Sequence, residues 1–240
     1  MPTLSFHRLE KRYGPVVALG GFTATVLPGR VTAFLGSNGA GKTTSMRIML
    51  GLSEPTSGRA MIDGHRYADL PSPLRVVGAV LDQGFHPNRS ARNHLRLVAM
   101  QARVSSRRVD ELLDFVGLGP AAGRRVGGFS LGMRQRLALA TALVGDPAVL
   151  VLDEPLNGLD PDGIRDMRRF LRQFADNGGT VFLSSHLLAE VAAIADDLVV
   201  IDAGRLAAAG PLCDLVPDGS DLESVFQNLV HPAHEREPLP

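Results

Sequence analysis

The chain has 240 residues, 45% of them hydrophobic, with 25 basic and 25 acidic residues and no net charge; that length buries one substantial core and is short for two. Charge balance removes any overall pull toward nucleic acid, and Cys213, the single cysteine, excludes an internal disulfide and suits a reducing, cytoplasmic setting. No apolar run approaches the roughly 20 residues that span a bilayer, and the first residues lack the order of a signal peptide, so the expectation is a chain soluble by itself.

In chain order, residues 4–9 and 22–27 alternate apolar and polar side chains and are expected as antiparallel strands. Residues 31–35 read as a short buried strand leading into Gly36-Ser37-Asn38-Gly39-Ala40-Gly41-Lys42-Thr43-Thr44, which satisfies the phosphate-loop pattern G-x-x-x-x-G-K-[ST]. Residues 45–50 continue as helix. Glycines permit backbone conformations that side chains forbid, so several N–H groups converge on phosphate oxygens at the positive end of the helix dipole. Lys42 then reaches the outer phosphates and the Thr43 hydroxyl ligates magnesium. The competing account, a Gly-rich turn before an ordinary helix, gives a lysine at the helix start no purpose.

Apolar runs at 76–81, 148–152, 180–184 and 198–201 belong in a parallel sheet covered on both faces. Residues 91–144 are rich in Arg, Leu and Ala at helical spacing, broken at Gly117-Leu118-Gly119-Pro120 and at Gly127-Gly128, and read as a helical insertion into an α/β core. Residues 211–229 are expected to form a helix on the core. Residues 231–240, charged and with three prolines, read as a disordered tail.

The run before Asp153-Glu154-Pro155 places two carboxylates at the carboxyl end of a strand, where open parallel sheets deliver ligand-binding groups. Exposed acids often end strands. After a phosphate loop, however, Asp153 is expected to hold magnesium beside Thr43 and Glu154 to polarise the water that attacks the terminal phosphate.

Further segments fall in the order of one family. Phe129-Ser130-Leu131-Gly132-Met133-Arg134-Gln135-Arg136 resembles the signature motif of ATP-binding cassette (ABC) ATPases, Asn157-Gly158-Leu159-Asp160 their D-loop, Ser184-Ser185-His186 their switch histidine, and Arg12-Tyr13-Gly14 the aromatic loop on which adenine stacks. The resemblance extends to about Val216. It implies an α/β P-loop core with a mixed sheet, an antiparallel β subdomain and an inserted α-helical subdomain. This would be one domain over 1–230, its core at 1–85 and 145–230 and its helical part at 86–144.

By the same resemblance, ATP and magnesium are the cofactors, and ATP closes a head-to-tail dimer. Ser130, Leu131, Gly132 and Met133 of one protomer meet the nucleotide of the other at a helix N-terminus. Asp160 lies in the D-loop, and His186 bonds the terminal phosphate and holds the water of Glu154 in line. Ser130 also reads as a plain helix cap, and Tyr13 as turn packing. Two departures stand out. The usual Ser-Gly-Gly-Gln is Ser-Leu-Gly-Met, and the position of the family's magnesium-sensing Gln falls on Asp82, with Gln83 one step later; Gln83 is named for the role, through a shifted loop, and Asp82 is its rival. Phe85 and residues 92–95 fall where the family meets the intracellular helices of a membrane subunit.

The implied function is the ATP-hydrolysing subunit of an ABC transporter, cytoplasmic and held at the inner face of the cell membrane by a separate permease. The motifs are most similar to those of bacterial drug, antibiotic or lantibiotic exporters, and no nucleic acid partner is expected. A non-transport ABC ATPase acting on a soluble macromolecular complex is the alternative, although the paired cassettes or long coiled coil of such proteins are lacking. A GTPase is excluded, since Lys11 and Lys42 are the only lysines and no Asn-Lys-x-Asp exists.

Overall fold

Leu4 and Phe6 point inward from the first strand, and the next buried residue is Leu9, so the alternation changes parity. A bulge absorbs the extra residue: Arg8 has φ 42°, and the pairing shifts register between Phe6 and Leu9. The chain then continues as strand well beyond the segments whose pattern is regular. In this computed structural model, which describes residues 1–81, 84–217 and 220–230, β1 (Leu4–Tyr13) and β2 (Val16–Val26) form one long hairpin. Tyr13 therefore closes a strand at the hairpin turn rather than lying in a free loop.

After the hairpin come β3 (Val31–Leu35), α1 (Lys42–Met49), β4 (Ser57–Ile62), α2 (Pro73–Val76), β5 (Val77–Val80), α3 (Ala91–Ala102), α4 (Ser106–Phe115) and α5 (Leu131–Ala142). The chain ends with β6 (Val149–Asp153), α6 (Pro161–Asp176), β7 (Thr180–Ser184), α7 (Leu188–Ala192), β8 (Asp197–Asp202), β9 (Arg205–Pro211), α8 (Leu212–Leu215) and α9 (Leu222–Val230). An antiparallel sheet has the order β2-β1-β4, and a mixed sheet the order β5-β6-β7-β3-β8-β9, in which only β9 runs antiparallel. The expected mixed α/β architecture is the one observed.

Differences from the sequence reading have local causes. Val76 belongs to α2, which starts at Pro73, so β5 begins one residue late. β4 buries only Ala60 and Ile62, and β9 is an Ala- and Gly-containing edge strand with no fully buried residue; neither carries an apolar alternation. The helix expected over 211–229 is two helices, α8 and α9. The tail at 231–240 lies outside the described residues. Among the described residues, no helix is long and apolar enough to cross a membrane.

Both faces of the mixed sheet are covered, which is why its strands read as continuous apolar runs. Val31, Ala33 and Leu35 face a core shared with Leu95, Leu112 and Leu137 of the helices in 91–144. Phe34 faces the antiparallel sheet. There Phe6, Phe22, Phe34 and Phe182, all fully buried, join the two sheets, with ring centroids 5.1 Å apart for Phe6–Phe22, 5.6 Å for Phe22–Phe34 and 4.9 Å for Phe34–Phe182. Because Phe34 directly precedes the residues entering the phosphate loop, this cluster also fixes the base of that loop. Phe34→Ala is expected to lower stability by about 3–5 kcal/mol, read as a reduced midpoint in urea unfolding.

Candidate nucleotide site

Strand register builds the centre of the site. Ser184 is paired with Phe34 on one side and with Asp153 on the other, so the carboxyl ends of β3, β7 and β6 stand side by side. The fully buried Ser184 donates its hydroxyl to Asp153 Oδ1 and accepts the Glu154 N–H at 3.0 Å. From the first turn of α1, Thr43 Oγ1 donates to Asp153 Oδ2 at 2.6 Å. The Asp153 carboxylate thus accepts on both oxygens, tying α1 to two strands.

Glu154 itself has φ 52°, a left-handed conformation costing a non-glycine residue about 1–3 kcal/mol. Its side chain, 27% exposed, is held by His186: Nδ1 lies 2.8 Å and the backbone N–H 3.3 Å from Oε2. The expected pair of Glu154 and His186 is therefore in direct contact, at the end of the strand that also supplies Ser184.

The phosphate loop is shaped by close backbone approach. Gly41, at φ 109°, leaves no room for a side chain, since a methyl group there would come within 2.7 Å of the Ala18 carbonyl. It precedes α1 without a side-chain cap, so the first N–H groups of the helix have no such partner. Lys42 folds back over the loop, donating to the Gly36 carbonyl at 2.6 Å and the Ser37 carbonyl at 3.1 Å. Among the described residues it has no carboxylate in ion-pair contact. Burial pushes its ammonium below the ordinary lysine value, with the nearby Glu154 and Asp153 carboxylates pulling it back up. An incompletely compensated cation beside an uncapped helix N-terminus fits an anion. Ser37, Asn38 and Gly39 are exposed at the mouth of the loop, Ala40 is buried beneath it, and Thr44 follows Thr43 in α1.

The remaining expected residues lie elsewhere. Ser130 caps α5, its Oγ accepting the Met133 N–H at 3.2 Å, and Met133 packs on the core. A Cβ at Gly132 would find the Gly158 carbonyl at 3.1 Å and Leu159 beyond it, and Leu131 lies over Gly158. The signature segment thus rests on the D-loop of its own chain. Asp160 caps α6, accepting the Gly163 N–H at 3.0 Å. Tyr13 is 50% exposed, with the Lys11 ammonium 4.9 Å from its ring centre. Phe85 is half-buried and packs edge-on against His94 at 4.9 Å, so much of its surface is already covered. The two rivals Asp82 and Gln83 lie outside the described residues. Ser184 and Gln135, which bonds the carbonyls that follow Asp153, were not singled out by sequence reasoning.

Residues 19–157, more than half of the chain, match the ABC transporter family. The chain belongs to that family. As an ABC cassette it is 37% identical to the lantibiotic transport ATP-binding protein SrtF of Streptococcus pyogenes, over 95% of this chain and 97% of that protein. It is 41% identical to the bacitracin transport ATP-binding protein BcrA of Bacillus licheniformis, over 82% of this chain and 66% of that one. A solved ATP-binding subunit of an ABC transporter superposes with a TM-score of 0.85 at 30% identity, covering 94% of this cassette and 98% of that chain. A dimeric bacterial ABC transporter cassette shares the fold, with a TM-score of 0.79 at 22% identity.

Ser184→Ala removes one donor to Asp153 and leaves the half-buried Glu154 N–H without its acceptor. The cassette is expected to lose about 1–3 kcal/mol of stability and to hydrolyse ATP more slowly, measured by denaturant unfolding and phosphate release.

Proposed function

We propose that this chain is the ATP-hydrolysing subunit of an ABC transporter that exports an antibiotic or peptide through a separate membrane permease. The observation that carries the hydrolytic reading is the joined set Thr43–Asp153–Ser184–Glu154–His186 beside the phosphate loop. The export reading is supported by the named roles of the relatives in lantibiotic and bacitracin transport. The permease would hold the cassette peripherally at the inner face of the membrane.

In this reading, residues 36–44 cradle the phosphates of ATP with backbone N–H groups, and Lys42 leaves its carbonyl partners to neutralise their charge. Tyr13 supplies a face for adenine. Thr43 Oγ1 and Asp153 Oδ2 would hold magnesium, with Gln83 or Asp82 completing the set. A hydroxyl and a carboxylate oxygen 2.6 Å apart are hard donors. Such a pair fits an ion that keeps most of its waters and is otherwise held by substrate phosphates. Magnesium, when bound, screens the negative charge that would otherwise separate the phosphates from Asp153.

Glu154 then accepts a hydrogen bond from the attacking water and takes its proton as the water oxygen bonds to the terminal phosphorus and the bond from that phosphorus to the bridging oxygen breaks, ADP leaving with the electron pair, while His186 fixes the carboxylate and faces the terminal phosphate. Leu131 and Gly132 rest on the D-loop of their own chain, and in a head-to-tail dimer the start of α5, with Ser130 as its cap and Met133 behind it, would meet the phosphate held by a second copy. Asp160, capping α6, keeps the D-loop beneath that contact.

Glu154→Gln keeps the shape of the side chain but loses its basicity. The variant is expected to bind ATP within about twofold of the unaltered chain while hydrolysing it about a hundredfold or more slowly. Equilibrium nucleotide binding and phosphate release measure the two quantities, and unchanged hydrolysis would remove the role given to this carboxylate.

A further inference from the structure

Gln135 lies in the second turn of α5, 3% exposed, and its amide is turned away from the helix toward the loop after β6. Nε2 donates to the Pro155 carbonyl at 2.7 Å, with the Glu154 carbonyl at 3.4 Å. The Glu154 carbonyl also receives the Asn157 N–H at 3.2 Å, so the stronger hold of Gln135 is on Pro155. Both carbonyls lie on the C-terminal side of Glu154, the residue in the left-handed conformation. A strained residue keeps such a conformation only when its surroundings over-determine it. Here Ser184 holds the N–H that enters the turn, Gln135 holds the carbonyl that leaves it, and His186 holds the side chain.

The first turn of the same helix grips the other end of that loop. Gly158, at φ 74°, sits under the Leu131 side chain, and its carbonyl faces Gly132. Helix α5 therefore clasps residues 154–158 at both ends, with Gln135 on the side of Glu154.

We infer that Gln135 is a positioning residue for Glu154: it fixes the backbone after β6 so that the carboxylate faces the attacking water, and it makes the Ser130-capped end of α5 and that carboxylate move together. The inference rests on the reading of Glu154 as the group that polarises water. It adds a consequence for the dimer: a contact made at the start of α5 with the nucleotide of one protomer is felt at the base of the other nucleotide site, within the same chain as that helix. A glutamine that merely satisfied buried carbonyls would stabilise the fold and have no selective link to Glu154.

A double-mutant cycle separates the two roles. Single-turnover hydrolysis of radiolabelled ATP would be measured for the full chain, Gln135→Leu, Glu154→Gln and the double variant, with ATP affinity measured alongside. Gln135→Leu is expected to slow turnover about tenfold or more with affinity unchanged within about twofold, and to add no further slowing once Glu154→Gln is present. The same factor in both backgrounds, or full activity of Gln135→Leu, overturns the inference.

Should Gln135→Leu fail to fold, Gln135→Glu gives a second readout. The introduced carboxyl can donate to Pro155 when protonated and cannot when ionised, so the rate relative to the unaltered chain is expected to fall as pH rises. A ratio independent of pH overturns the inference. Wild-type hydrolysis by Glu154→Gln removes the base assignment and this coupling with it. A slow Glu154→Gln beside a fully active Gln135→Leu overturns the coupling alone.

Discussion

The Asp153 carboxylate is the interaction on which the rest of the site depends. By accepting from Ser184 on one oxygen and from Thr43 on the other, it joins the end of β6 to the end of β7 and to the first turn of α1. Those three points come from segments far apart in sequence. The phosphate loop and the groups at the strand ends are therefore fixed relative to one another before any ligand arrives, which reduces the ordering cost of binding. The same carboxylate creates an electrostatic problem, because Asp153 and Glu154 present negative charge where a phosphate chain must lie. Lys42 offsets part of it, and a divalent cation at Thr43 and Asp153 would offset more.

The fold delivers these groups through packing that is remote from the chemistry. Four phenylalanines lock the antiparallel sheet to the mixed sheet, and Phe34 is the register partner of Ser184. A shift of one residue in β7 against β6 would turn Ser184 away from Asp153 and carry Phe182 from the antiparallel-sheet face to the helical face. The register that hides Phe34 and Phe182 from water is thus the register that aims the Ser184 hydroxyl. Stability and site geometry have the same cause here.

The legible parts of this chain were those written in consecutive residues. The phosphate loop, the acidic pair after an apolar run and the Ser130 cap each carry their chemistry within a few positions, and Glu154 and His186 meet in the structure. The role of Ser184 depends on strand register, and that of Gln135 on how α5 packs against a loop; neither leaves a local pattern. The left-handed turn at Glu154 is likewise imposed by tertiary contacts, against the preference of the residue. Tyr13 was read as loop because the bulge at Arg8 hides the length of β1. Helix α6 is different, since its signals were present: Asp160 as cap, Pro161 after it, then Ile164, Met167, Leu171 and Ala175 at helical spacing.

A cassette that opens and closes with its nucleotide does external work only if another protein is attached to it. In the proposed function, turnover at the Asp153–Glu154 site drives a separate membrane permease. The most direct test of that coupling is affinity purification of the full-length Glu154→Gln chain, with ATP, from detergent-solubilised membranes of the source cell, followed by mass spectrometry. Recovery of a multi-span membrane protein is expected; recovery of only ribosomes, DNA or soluble proteins would overturn the coupling to a permease.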